Sequence, residues 1–226
     1  MPSAEEVRKV SRLLEMSLGR PLRPNQMDPI GGLVLAILSQ NTNDRNRDRA
    51  FGRLRERFGS WEEVALASPS EVEEAIRPAG LSKVKSERII NCLRTLKGGD
   101  GTLDSLKGMS LEEAEGFLTS IPGIGLKTAR CVLLFQLGLP AFPVDTHILR
   151  VARRLGLVDP KATAEKAQET LSTGAPPGTN LELHLLLIDH GRRVCRARRP
   201  RCGVCPLQAV CAASNPAESG FSTSPR

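Results

Sequence analysis

No stretch of the sequence approaches the roughly 20 consecutive apolar residues that cross a bilayer, and the opening MPSAEEVRKV lacks the basic and apolar run of a signal peptide. A soluble intracellular protein is therefore expected, with no membrane partner. Strand alternation is lacking as well, which argues against a sheet-based fold and leaves an all-α one. Acidic residues are in deficit, 25 against 32 Lys plus Arg, so the formal charge is +7 and the pI about 9.4. That balance suits a polyanionic partner, although many basic proteins bind no nucleic acid. Disulfides are disfavoured in an intracellular chain, so the six cysteines become candidate metal ligands or packed thiols.

What is present is a succession of helix signals. Hydrophobic residues make up 40% and charged residues 25%, enough for 226 residues to bury a sizeable core as one domain or two small ones. Ser3 and Glu6 form a capping-box pattern ahead of Val7, Val10, Leu13, Leu14 and Leu18 at helical spacing. Asp28-Pro29 predicts a helix start before the apolar Gly31 to Ser39, which the polar turn SQNTND interrupts. Further helices are predicted over Arg45 to Phe58, after the Ser60/Glu63, Ser70/Glu73 and Ser110/Glu113 patterns, and around Ile89 to Leu96 before the breaker KGGDG. Thr146 to Leu155, Ala162 to Leu171 and a segment from Leu181 complete about ten helices. Residues 212–226, rich in Ser, Pro and Ala, read as a flexible tail.

The stretch Ile121 to His147 is the centre of the sequence. Pro122, Gly123 and Gly125 predict a tight helix-hairpin-helix turn before an apolar helix from Leu126 to Leu137. Its outward amides suit a phosphate oxygen, and a plain αα-hairpin with closely packed glycines is the alternative. Lys127 either neutralises a phosphate or, with a second group, acts as a nucleophile. Asp145 is that second group, and it is also a reasonable helix cap before Thr146. For His147 a structural hydrogen bond is expected.

Cys195, Cys202, Cys205 and Cys211 are spaced C-x6-C-x2-C-x5-C. Four thiolates so close can wrap one small metal centre, an iron–sulfur cluster or a zinc ion, although paired Cys-x-x-Cys knuckles are lacking. Cys92 and Cys131 fall on apolar helix faces and read as core thiols. Arg196, Arg198, Arg199 and Arg201 lie between the first two ligands, preceded by Arg192 and Arg193. A metal-pinned loop would make them a cationic ridge for a DNA backbone, rather than a solvated charge run.

Taken in order, IPGIGLKTA, PVDTHILRVARRLGL and HGRRVCRARRPRCGVCPLQAVC closely resemble the endonuclease III family of DNA glycosylases. LSQNTND and GLSKVKSERI extend the similarity upstream, over roughly residues 4 to 211. The resemblance implies a helix-hairpin-helix glycosylase whose two lobes flank a DNA-binding cleft. A six-helix module would span 22–135 and end in the hairpin, and 1–21 with 136–211 would carry a [4Fe-4S] cluster on Cys195, Cys202, Cys205 and Cys211. Lys127 matches the family's nucleophile and Asp145 its catalytic carboxylate. Gly123 and Gly125 would meet DNA through the backbone, and Gln40, Asn41 and Leu81 become candidates to fill the gap left by a flipped nucleotide. The polar wedge aligns with Asn41, one residue after a glutamine, and Ser82 stands where an aromatic residue is frequent.

The implied activity is that of a bifunctional DNA glycosylase and abasic-site lyase of base excision repair. It would remove oxidised pyrimidines from duplex DNA and cleave abasic sites through a lysine Schiff base. A monomer is expected, in the cytoplasm and associated with the nucleoid if the source is prokaryotic. The alternatives are a monofunctional adenine or mismatch glycosylase on the same scaffold, and a non-catalytic DNA-binding module using hairpin and arginines alone.

Overall fold

The computed structural model describes residues 4–22, 27–97 and 103–214. Among these residues are eleven α-helices, four short 3-10 turns and no strand. They form two compact units, one of Asn25–Leu139 and the other joining Met1–Pro24 to Pro140–Arg226. Ser3, most of the KGGDG breaker and residues 215–226 lie outside the described residues, so the Ser3/Glu6 cap and all but the first three residues of the tail do too.

The Asn25–Leu139 unit holds α2 (Pro29–Leu38), α3 (Asp44–Arg57), α4 (Trp61–Leu66), α5 (Pro69–Ile76), α6 (Ser82–Lys97), α7 (Leu111–Ser120) and α8 (Leu126–Phe135). That is seven α-helices, of which Ser60 and Ser68 each cap a short one. The start of α2 is as the sequence signals: Pro29 sits in the first turn and Asp28 accepts from the Gly31 amide at 2.6 Å and from Trp61 Nε1 at 2.9 Å. Gly31, Gly32, Leu33, Val34, Ile37 and Leu38 of α2 are buried. A Cβ on Gly32 would overlap Gln136 just beyond α8, so glycine permits this close helix contact.

One expected cap moves. The box that opens α5 is Ser68/Glu71, not Ser70/Glu73, because Pro69 takes the first helical position and leaves Ser68 as the cap. Glu73 instead accepts from Ser82 Oγ at 3.3 Å. Ser110/Glu113 forms the reciprocal box at α7 as predicted.

The other unit contains α1 (Ala4–Leu18), α9 (Thr146–Leu155), α10 (Ala164–Gly174) and α11 (Asn180–Arg193). Val7, Val10 and Leu14 recur on one face of α1 and pack into a core with Phe142, Ile148, Val151, Leu183 and Leu187. Burying each such side chain contributes about 1.5–3 kcal/mol, which holds the first helix to the last third of the chain. Helix α9 buries Ile148, Val151, Ala152 and Leu155 and ends at Gly156, whose φ of 80° makes the left-handed cap. Thr163 caps α10, so that helix starts two residues later than predicted.

Candidate functional site

The hairpin is built by a buried pair flanking an open turn. Ile121 and Ile124 are buried, and the Ile124 amide donates to the Ile121 carbonyl at 3.0 Å. Gly123, at φ 89°, could not carry a side chain without strain, and an added Cβ would press on Arg88. Gly125 differs. Its φ is an ordinary −86°, and an added Cβ would meet nothing within 4 Å. Nothing inside the unit requires glycine there, so the missing side chain leaves room on the outside of the turn.

Gly125 caps α8 with no side-chain hydrogen bond, so the first amides of that helix have no side-chain acceptor. Lys127 is on this first turn, exposed, with no hydrogen-bond or ion-pair partner among the described residues. The hairpin is clamped from behind: Arg130 of α8 meets Glu115 of α7 through two bonds of 2.5 and 3.0 Å, both side chains only 13% exposed.

The candidate gap-filling residues share an unusual backbone. Asn41 (φ 52°), Leu81 (φ 49°) and Arg199 (φ 50°) are the non-glycine residues with positive φ among those described. All three were singled out from sequence as DNA contacts. A left-handed leucine costs about 1–2 kcal/mol, and such strain concentrates where a side chain must be aimed. Leu81 is 58% exposed, so the strain is not offset by burial of its side chain. Gln40 is different: its Oε1 accepts from Arg88 Nη1 at 2.8 Å and its Nε2 donates to Thr128 Oγ1 at 3.4 Å. It is tied beside the turn of Lys127 rather than projecting freely.

Asp145 lies on the other unit. It caps α9, with Oδ1 accepting from the Ile148 amide at 2.8 Å, and its side chain is half-buried. The approach to it, residues 140–144, is held by two buried side chains of α11. Asn180 Nδ2 donates to the carbonyls of Pro140 and Ala141 at 2.9 and 3.2 Å, and His184 Nδ1 donates to that of Pro143 at 3.0 Å. Sequence reading did not identify these two; their signal is a polar pair four residues apart on an apolar helix. His147 takes the structural role expected, accepting at Nδ1 from Arg150 Nη2 at 3.1 Å.

The four cysteines line one cavity of about 200 Å³, together with Arg154 and His190. Among the described residues no three His, Cys, Asp or Glu side chains converge as they would on a single metal ion. Four thiols around a cavity of that size suit a cluster several ångströms across. Burial pushes the Cys205 thiol up and the Leu207 amide opposes it, while Cys211, Cys195 and Cys202 push it further up. Four cysteine sulfurs around one cavity are the ligand set that a cubane cluster takes, so the residues present fit an iron–sulfur cluster.

Helix α9 also holds the loop that carries the cysteines. Arg150 Nε donates to the Cys195 carbonyl at 2.9 Å, and Arg154 donates to the Arg196 and Ala197 carbonyls at 2.8 and 3.2 Å and to Cys195 Sγ at 3.4 Å. These two arginines, overlooked in the sequence, pin the loop by hydrogen bonds alongside any metal. Arg196, Arg198, Arg199 and Arg201 remain exposed on it. Cys92 is a buried core thiol as expected, and burial pushes it up to about 12.

Residues 34–177 match the HhH-GPD superfamily of base excision DNA repair proteins, and residues 195–211 match the iron–sulfur binding domain of endonuclease III. A candidate DNA glycosylase of Arabidopsis thaliana is 39% identical over 165 residues, which are 72% of this chain but only 56% of that protein. Endonuclease III of Thermotoga maritima is 34% identical over 84% of this chain and 86% of its own length. Among solved structures, a trapped endonuclease III–DNA covalent intermediate superposes with a TM-score of 0.80 at 25% identity, covering 96% of this chain and 99% of the other.

Proposed function

The chain belongs to the endonuclease III family of HhH-GPD DNA glycosylases and carries that family's [4Fe-4S] binding domain, and from this premise we propose that it is bifunctional, excising oxidised pyrimidines and then cleaving the abasic strand. The observation that carries the reading is Lys127: an exposed amine without a partner among the described residues, on the first turn of a helix whose amides have no side-chain cap and whose glycine leaves the approach open.

The chemistry assigns each residue a task. A base inside a duplex is reached only when its nucleotide leaves the stack. Asn41 and Leu81, aimed by strained turns, fill the gap, and the hairpin amides hold a phosphate. Positive charge develops on the sugar as the base departs, and the carboxylate of Asp145 stabilises it. Lys127, once deprotonated with help from Asp145, attacks C1′ as the C1′–base bond breaks; the C1′–O4′ bond of the adduct then opens, with O4′ taking a proton, and the resulting Schiff base acidifies the C2′ proton. Loss of that proton expels the 3′-phosphate by β-elimination, and hydrolysis of the imine returns the free lysine. The cluster, when bound, supplies a rigid core that fixes the Cys195–Cys211 loop. Its exposed arginines neutralise backbone phosphates.

Duplexes with single defined lesions test this reading, with base release and strand cleavage measured separately. Oxidised pyrimidines released with concurrent cleavage are expected. Release of adenine from a mismatch, leaving the strand intact, would instead favour a monofunctional enzyme.

A further inference from the structure

Lys85 is the one fully buried lysine among the described residues, 1% exposed, and no carboxylate is paired with it. Its ammonium donates to two backbone carbonyls, Leu38 at 2.8 Å and Ala79 at 2.9 Å. Both carbonyls end short elements. Leu38 is the last residue of α2, and Ala79 closes the 3-10 turn Arg77–Ala79. Each carbonyl lies two residues ahead of a gap-filling candidate, Gln40 in one turn and Leu81 in the other, and Asn41 follows Gln40. The backbone amide of Lys85 also donates to the Leu81 carbonyl at 3.0 Å. The strained Leu81 turn is therefore gripped on both sides by one residue.

One helical turn further along α6, Arg88 continues the same edge. Its Nη1 donates to Gln40 Oε1 at 2.8 Å, and its aliphatic stem lies against Gly123 of the hairpin. Residues three apart on a helix project together, so Lys85 and Arg88 form a single ridge on α6. That ridge touches both wedge turns and the hairpin.

Two ordinary explanations are weaker. The orphan carbonyl at the end of α2 could be met by water or a neutral donor, as most helix ends are. A core position could carry an apolar side chain without the cost of dehydrating an amine. Burying a lysine costs free energy, which burial and the nearby Arg88 register by pushing its pKa down. What the buried amine gains here is a fixed spacing between two turns whose bridged carbonyls, Leu38 and Ala79, are 41 residues apart in sequence. The positive end of the side chain also suits the C-terminus of α2.

We propose that Lys85 and Arg88 are positioning residues that lock the Gln40-Asn41 turn, the Leu81 turn and the hairpin into one preset surface for reading a gap in duplex DNA. The idea rests on the wedge roles proposed above. It adds that lesion discrimination is set from inside α6, by a lysine buried behind the surface and the arginine one turn beyond it.

The test measures affinity for a duplex with a tetrahydrofuran abasic analogue and for the undamaged duplex, and takes their ratio as the preference. The wild type, Lys85→Met, Leu81→Ala and the double variant are compared, with folding checked by circular dichroism and thermal melting. Lys85→Met is expected to lose about tenfold in preference, and to lose little more in the Leu81→Ala background, because residues acting as a unit are non-additive. A preserved preference, or two losses that simply add, would overturn the proposal. Arg88→Leu with Gln40→Ala forms a second cycle with the same expectation, and it decides the matter if Lys85→Met does not fold. A wild type with no preference would instead overturn the wedge roles themselves.

Discussion

Gly125 is the residue whose identity the fold explains least and the proposed chemistry explains best. Its φ is ordinary and its Cβ would be unopposed, in contrast to Gly123, which strain and Arg88 both require. Gly125→Ala should therefore change thermal stability by no more than the ~1 kcal/mol of a poorer helix cap, while binding to abasic duplex falls about tenfold through loss of one close phosphate contact. Fluorescence anisotropy alongside a melting curve separates the two effects. Equal losses in stability and binding would mean that the glycine serves packing after all. At this scale the convergence of the four cysteines was legible, because four thiols within seventeen residues are chemically conspicuous. The positive φ of Leu81 and Arg199 was not, because neither leucine nor arginine announces a left-handed backbone, whereas Asn41 is of a type that tolerates one. Lys85 was hidden for a related reason. In GLSKVKSERI it looks like any lysine of a basic helix, and only tertiary contacts bury it.

At the scale of elements, local signals read well and shared ones less so. Asp28-Pro29 and Ser110/Glu113 were found because a cap is written in four adjacent residues. Ser70/Glu73 failed because two serines compete within three residues and Pro69 decides between them. Across the hairpin, the Glu115–Arg130 pair joins α7 to α8, and Arg130 Nη1 has no partner among the described residues. Glu115→Ala leaves a largely buried guanidinium uncompensated and should cost about 2–4 kcal/mol in denaturant unfolding. A cost below about 0.5 kcal/mol would make the pair an ordinary surface contact. The cap of α7 gives a pH test. The Ser110 hydroxyl and amide hold the Glu113 carboxyl below its ordinary value of 4.5. Its contribution is thus complete above the unfolded value and is lost as pH falls through the lower folded one. Glu113→Gln should flatten that part of the acid limb of a melting-temperature profile, and an unchanged limb would contradict the cap's role.

For the molecule as a whole, the net charge is +7, and four exposed arginines stand on the cysteine loop, whose backbone Arg150 and Arg154 hold. If Arg198 and Arg199 each meet a phosphate, replacing both with alanine should lower the slope of log affinity against log salt by about 1.8. An unchanged slope would return the ridge to a solvated charge run. The all-α class was legible from helical periodicity alone, whereas the joining of α1 to the last third of the chain followed only from the family resemblance. No local signal marks which distant helices a row of Val7, Val10 and Leu14 will meet.

The central claim is that Lys127 is a covalent nucleophile, and borohydride reduction during reaction with an abasic duplex tests it most directly. A reduced Schiff base survives denaturing electrophoresis as a protein–DNA adduct, and peptide mapping locates it. The account predicts an adduct in the cluster-loaded wild type, carried on Lys127 and absent from Lys127→Ala. Undiminished trapping in Lys127→Ala, or no adduct from active wild-type protein, would contradict it.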